Sequence, residues 1–228
     1  MKTENIKFNP EKPYVIICEG ADEYHFMIAY LNYLERTERL FQDCHHVIDF
    51  GGIDDVGKGI DDIKIYPHYE EMKGFLIIRD AETNATSAVD SLQHDIRQTW
   101  GLEIEATGQI QKDEEGVKVG FFLLPGVNED GHFRNGTLED LCLDIITDAE
   151  EPISVSNLLP EIDKYLYKIQ ETRGAEMRHL HKNKLYLYLS STDTFVGSKV
   201  GEAAKCGAFN LNSDKLAYLK DMILQMQD

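Results

Sequence analysis

Cysteine is scarce and scattered in this chain: Cys18, Cys44, Cys142 and Cys206 are its only 4 thiols, and no two form a C-x-x-C pair. A disulfide framework is therefore excluded as the basis of the fold, and reduced structural thiols of a cytoplasmic protein are the simplest account. Long apolar runs are missing too. No stretch is long enough to cross a bilayer, and the polar start from Met1 to Pro10 has no core of signal-peptide length. Positive charge is in short supply, with 23 Lys and Arg against 41 Asp and Glu and a net charge of −18. The deficit is local. Residues 160–228 hold 10 basic against 9 acidic side chains, and the first 159 hold 13 against 32. A field of that sign repels a phosphate backbone unless a metal ion or a local basic strip offsets it, which excludes broad coating of nucleic acid.

Several motifs are absent as well. Gly57-Lys58-Gly59 lacks the spacing and the Ser or Thr of a P-loop. Cys44-His45-His46 has no second half at zinc spacing, and His179 and His181 are expected on different sides of a helix. No internal repeat or low-complexity tract is visible.

What is present is enough for a folded, enzyme-sized core, since 42% of the residues are hydrophobic and 10% aromatic. Four apolar runs read as buried strands: Pro13–Cys18, His46–Phe50, Gly74–Asp80 and Val117–Leu124. The first stops at Glu19-Gly20, the second at Gly51-Gly52, the third on Asp80 and the fourth at Pro125-Gly126. Helical spacing follows from Asp22, placed to cap its first turn, and again over Thr83–Trp100. Asp113-Glu114-Glu115-Gly116 reads as a solvated hairpin or loop. Beyond Gly136 the pattern is helical, over Thr137–Ile146, Ile153–Gln170, Ala175–Leu189, Gly197–Cys206 and Asp214–Met226. The expected fold is α/β, a mostly parallel sheet flanked by helices, with residues 1–135 as the α/β core and 136–228 as a helical extension packed on it. In such sheets ligands collect beyond the carboxyl ends of the strands, where Glu19 and Asp80 lie.

Carboxylates at neighbouring strand ends suit a hard divalent ion such as Mg²⁺ or Mn²⁺, which takes oxygen ligands and leaves positions for water or phosphate. Such an ion offsets repulsion between an acidic protein and phosphate and activates a nucleophile. Glu19 could also carry a proton if burial or like charge raises its pKa. Asp22 and Glu23 read more simply as acids of a helix N-terminus.

The run Val15-Ile16-Ile17-Cys18-Glu19-Gly20, followed by Leu76-Ile77-Ile78-Arg79-Asp80-Ala81-Glu82, resembles the two-part signature of the TOPRIM family of topoisomerases, primases and nucleases. The resemblance implies a TOPRIM or Rossmann-like sheet and a metal site of Glu19, Asp80 and Glu82 for Mg²⁺ or Mn²⁺. It also implies phosphoryl transfer on DNA or RNA, most naturally as a nuclease. This chain has Asp80-Ala81-Glu82 where the family pattern is Asp-x-Asp, so the reach of the third ligand differs. Gly136-Thr137-Leu138-Glu139-Asp140-Leu141, with Lys184–Leu189 and Val200-Gly201-Glu202-Ala203-Ala204, is similar to a group of uncharacterised TOPRIM-like proteins. Glu139 is either a further carboxylate of the metal site or a first-turn helix acid. Arg173, Arg178, Lys182, Lys184, Lys199 and Lys205, if they share a face, would form the basic strip a nucleic acid needs, although solvated helix surface is the plainer account. A non-catalytic module binding nucleic acid or nucleotide is the alternative function. A receiver domain fits less well, because its paired acids belong at the end of the first strand, where Glu19 stands alone before Gly20. No strand-passage machinery and no zinc-binding cysteine set point to a topoisomerase or a primase.

Overall fold

The strand β3 (Gly74–Asp80) is buried along nearly its whole length. Its sequence, Gly-Phe-Leu-Ile-Ile-Arg-Asp, lacks polar alternation because a strand covered on both faces needs apolar side chains on each. The computed structural model describes residues 12–38, 44–51, 57–60, 63–65, 69–147 and 158–228. In it β3 lies between β1 (Tyr14–Cys18) and β5 (Lys118–Leu124), parallel to both. β2 (His45–Asp49) pairs in parallel with the far side of β1, and the short β4 (Gln111–Lys112) runs antiparallel at the other edge. The order β2-β1-β3-β5-β4 is the mostly parallel sheet that the apolar strand cores predict.

That order has a consequence for ligands. From β1 the chain moves to one side to form β2 and then returns to form β3 on the other side. The strand order thus reverses between β1 and β3, and the crevice of a parallel sheet opens at the carboxyl ends of such a pair. Glu19 and Asp80 stand there. The hairpin expected around Asp113 joins β4 to β5, with the Asp113 carboxylate accepting from the backbone N–H of Glu115 at 2.9 Å and Val117 at 2.8 Å.

The helices follow the chain's punctuation. α1 (Ala21–Thr37) begins directly after Gly20, so Asp22 is inside the first turn and does not cap it. α2 (Ala85–Trp100) starts where the Asn84 side chain accepts from the Ser87 N–H, and it ends at Gly101 in the left-handed conformation. In the carboxyl half come α3 (Leu138–Thr147), α4 (Leu158–Arg173), α5 (Leu180–Ser190), α6 (Val200–Lys205) and α7 (Ala217–Gln227). α5 and α6 start later than their apolar spacing suggests. Gly174 at φ +63° and Gly197 at φ +76° turn the chain ahead of each. α7 is preceded by a 3-10 turn from Asp214 to Leu216. Gly52 and the Ile153 end of the fourth expected helix lie outside the described residues.

One continuous apolar cluster joins the sheet to the carboxyl-half helices. α7 packs on β3 and β5, with Leu219, Met222, Ile223 and Met226 all at most 1% exposed. The Tyr30 hydroxyl donates to the Leu216 carbonyl at 3.3 Å, tying α1 to the start of α7. No helix among the described residues is long and apolar enough to cross a membrane.

Candidate functional site

The register of β1 and β3 sets the site. Cys18 lies opposite Ile78, and the next backbone N–H, that of Glu19, donates to the Ile78 carbonyl at 3.2 Å. Glu19 therefore leaves the sheet beside Arg79 and Asp80. A third element arrives through the turn after β3. Glu82 sits at φ +53° and exchanges two backbone hydrogen bonds of 2.8 Å with Gly136. This clamp brings the start of α3 to the strand end, where the Leu138 N–H donates to Asp80 Oδ1 at 2.9 Å.

Four carboxylates gather in consequence. Asp80 is 7% exposed and Glu139 5% exposed, with Glu19 and Glu23 half-buried around them. Burial pushes Asp80 up to about 9, and the charges of Glu23, Glu19 and Glu139 add to the rise. Burial also pushes Glu23 up to about 7, with Glu19, Asp22 and Glu139 contributing. Glu19 is raised by burial as well, although Arg79 and the Asp80 backbone N–H favour its charged form. A group of acids this close must take up protons or cations.

Two cations are already present. Lys182 Nζ lies 3.3 Å from Glu139 Oε1, while Glu139 Oε2 accepts from the Thr137 hydroxyl at 2.8 Å. Arg79 Nε is 3.7 Å from Glu19 Oε2. That contact is an ion pair too long to be a hydrogen bond, and both atoms are buried without a hydrogen-bond partner. Glu82 points outward: its side chain is exposed, and its charge reaches Glu19 and Lys182 electrostatically. As the side chains stand, no group of three or more His, Cys, Asp or Glu among the described residues converges tightly enough to enclose an ion. The donors nonetheless suit a hard cation, because all are carboxylate oxygens and one of them, Glu19 Oε2, is buried without a hydrogen bond.

Glu19, Asp80 and Glu139 are thus brought together, with Glu82 at the rim. Glu23 joins them, against its expected role as a simple helix acid. A signal for it existed in the four-residue spacing from Glu19 to Glu23, which spans a strand end and the first helical turn. Asp22 also acts away from its own helix, its Oδ1 accepting from the Gly201 N–H of α6 at 3.3 Å.

The basic residues are divided among several places. Lys182 reaches the carboxylates, Lys184 pairs with Asp163 at 2.8 Å, and Lys205 Nζ lies 2.8 Å from His25 Nδ1. Arg173 and Arg178 are exposed around the turn between α4 and α5, and Lys199 is exposed ahead of α6. His179 precedes α5 and is not inside it, so its ring meets that of His181 edge-on at 6.3 Å and does not face away. His45 lies at the opposite end of the sheet from Glu19, buried and within 2.7 Å of Gln227 Nε2. Burial and then Lys12 push it down to about 4, which suits a neutral structural ring.

A family model described as "Protein of unknown function (DUF3226)" matches residues 13–227. No curated protein matches the chain. Among solved structures, the chain is similar to the C-terminal region of the Xanthomonas campestris pv. campestris OLD protein. The identity is 14%, over 94% of this chain and 97% of that one, with a TM-score of 0.34.

Proposed function

We propose, for a chain that belongs to the DUF3226 family of proteins of unknown function, a divalent-metal-dependent phosphoryl transfer on a nucleic acid, most plainly hydrolytic cleavage. The observation that carries this reading is the meeting of Glu19 and Asp80 at the reversal point of a parallel sheet, with Glu23 and Glu139 close enough to perturb Asp80. Glu19, Asp80, Glu82 and Glu139 are the residues that would hold Mg²⁺ or Mn²⁺. When bound, the ion supplies Lewis acidity and stabilises charge on the phosphoryl oxygens.

The chain's own groups supply the rest. Asp80 is fixed by the Leu138 N–H and so has a defined orientation toward the crevice. Lys182 stands at the cluster with 42% of its side chain exposed, placed to exchange Glu139 for a substrate phosphate. Glu19, with one buried oxygen lacking a hydrogen-bond partner, is the candidate to carry a proton to or from the reacting group. Nucleic acid as the substrate class rests on the TOPRIM resemblance of the two strand-end motifs.

The test is cleavage of labelled single-stranded and duplex DNA and RNA in Mn²⁺ or Mg²⁺. Native protein should cut at least one substrate, Glu19→Gln should cut it about a hundredfold more slowly, and Asp80→Asn should be inert. Equal activity in native and Asp80→Asn protein would mark a contaminant and end the proposal. A second reading, a binding module without catalysis, is favoured by the pairing of Arg79 with Glu19 and Lys182 with Glu139, which partly neutralises the cluster with no ion. Uniform inertness with retained nucleic-acid binding would select it.

A further inference from the structure

α5 carries Lys182 and, one turn later, Tyr186. Residues four apart on a helix share a face, with Cβ atoms about 5–6 Å apart. Lys182 is the residue that reaches Glu139, and the Tyr186 phenol lies within electrostatic range of Asp22, Glu139 and Lys182. Tyr186 thus stands at the rim of the carboxylate crevice.

The core does not account for it. α5 packs inward through Leu185, Tyr188 and Leu189, which are 0%, 5% and 1% exposed, whereas Tyr186 is 37% exposed. A single exposed aromatic is ordinary on a protein surface. A flat ring one helical turn from a lysine at the mouth of a carboxylate site is a more specific arrangement.

Resting on the phosphoryl-transfer reading, we propose that Tyr186 stacks on an unpaired base next to the phosphate held at the carboxylate cluster. The substrate class is then single-stranded nucleic acid or an unpaired strand end. The chain's charge favours this mode of recognition. With a net charge of −18, the protein gains little from long backbone contacts, which need many basic side chains and weaken steeply with salt. Stacking on an aromatic ring draws on the π-face that every base has and adds affinity beyond the few backbone contacts an acidic protein can make. In a duplex the bases are stacked on one another, so the ring has access only where a strand is open.

The test separates bases from phosphates. Fluorescence anisotropy is measured with labelled oligothymidylate, an abasic oligomer of the same length and a blunt duplex, with Ca²⁺ replacing Mg²⁺ so that binding is read without turnover. Native protein should bind oligothymidylate about tenfold tighter than the abasic oligomer. Tyr186→Phe should keep that ratio. Tyr186→Leu should bring it close to one while leaving affinity for the abasic oligomer and the thermal midpoint unchanged. The proposal is overturned if native protein binds both oligomers equally or neither, or if Tyr186→Leu keeps the preference. A parallel Mn²⁺ cleavage assay tells the two ideas apart. Cleavage without base preference sinks the stacking role alone. Base preference that is lost in Tyr186→Leu, in a protein that cuts nothing, supports stacking and sinks the nuclease.

Discussion

Asp80 combines two demands that conflict in a metal-free protein. Its Oδ1 is needed as the acceptor for the Leu138 N–H, yet its charge is buried beside those of Glu23, Glu19 and Glu139. Protonation resolves the conflict, which is the physical content of a pKa near 9 for Asp80 and near 7 for Glu23. Both values are raised on folding, so the folded state holds protons that the unfolded chain has lost. The linked stability is fully present below the ordinary carboxylate range and disappears as pH rises through the folded values. With chelator present, the melting temperature should therefore fall from about pH 6 to about pH 9. Asp80→Asn keeps the hydrogen-bond acceptor and removes the charge. At about pH 8 it should melt higher than native protein, by the equivalent of ~2 kcal/mol or more. A variant that melts lower there, or a native curve that rises with pH, would contradict this account of the cluster.

The elements that place these residues differ in how plainly the sequence announces them. Glu19 follows β1 directly and Asp80 ends β3, each after an apolar strand core, so the sequence places both at strand ends, and the TOPRIM resemblance of the two motifs is what pairs them. β4 could not be read from the sequence, because two residues of an edge strand carry no periodicity. Glu23 and Lys182 were obscured for another reason. The spacing that puts Glu23 near Glu19 also describes an ordinary helix start, and Lys182 meets Glu139 only through the packing of α5 on α3. α6 has a similar tertiary role. A Cβ on Gly201 would come within 2.3 Å of the His25 Cβ, and the Gly201 N–H is the donor to Asp22. The first turn of α1, which carries Asp22 and Glu23, is thus held by a contact that leaves no room for a side chain. Gly201→Val should lower the free energy of unfolding by ~1–3 kcal/mol in urea titrations. An unchanged midpoint would show that α6 yields freely and does not hold α1.

At the scale of the whole molecule, an acidic chain gathers buried and half-buried carboxylates at the reversal point of its sheet, where Asp80 and Glu23 are costly to keep charged. Arg79 and Lys182 relieve only part of that cost, since Asp80 and Glu23 remain shifted with both cations in place. The carboxyl-half helices belong to this arrangement. α3 supplies Glu139 and the donor to Asp80, α5 supplies Lys182, and α7 backs the strands whose ends carry the acids. The helical character of this half was legible from its apolar spacing. Glu139 was legible as one of two readings, but the contact of Lys182 with it was not, because that depends on how distant segments dock. The central claim is that these carboxylates together bind a hard divalent ion in place of protons. The most direct measurement is a Mn²⁺ titration near neutral pH, with free ion counted by electron paramagnetic resonance and proton release followed in parallel. Native protein should bind Mn²⁺ saturably and release protons as it does so, and Asp80→Asn should bind about tenfold more weakly or worse while releasing fewer. Saturable binding that Asp80→Asn leaves unchanged, or no saturable binding in native protein, would contradict the claim.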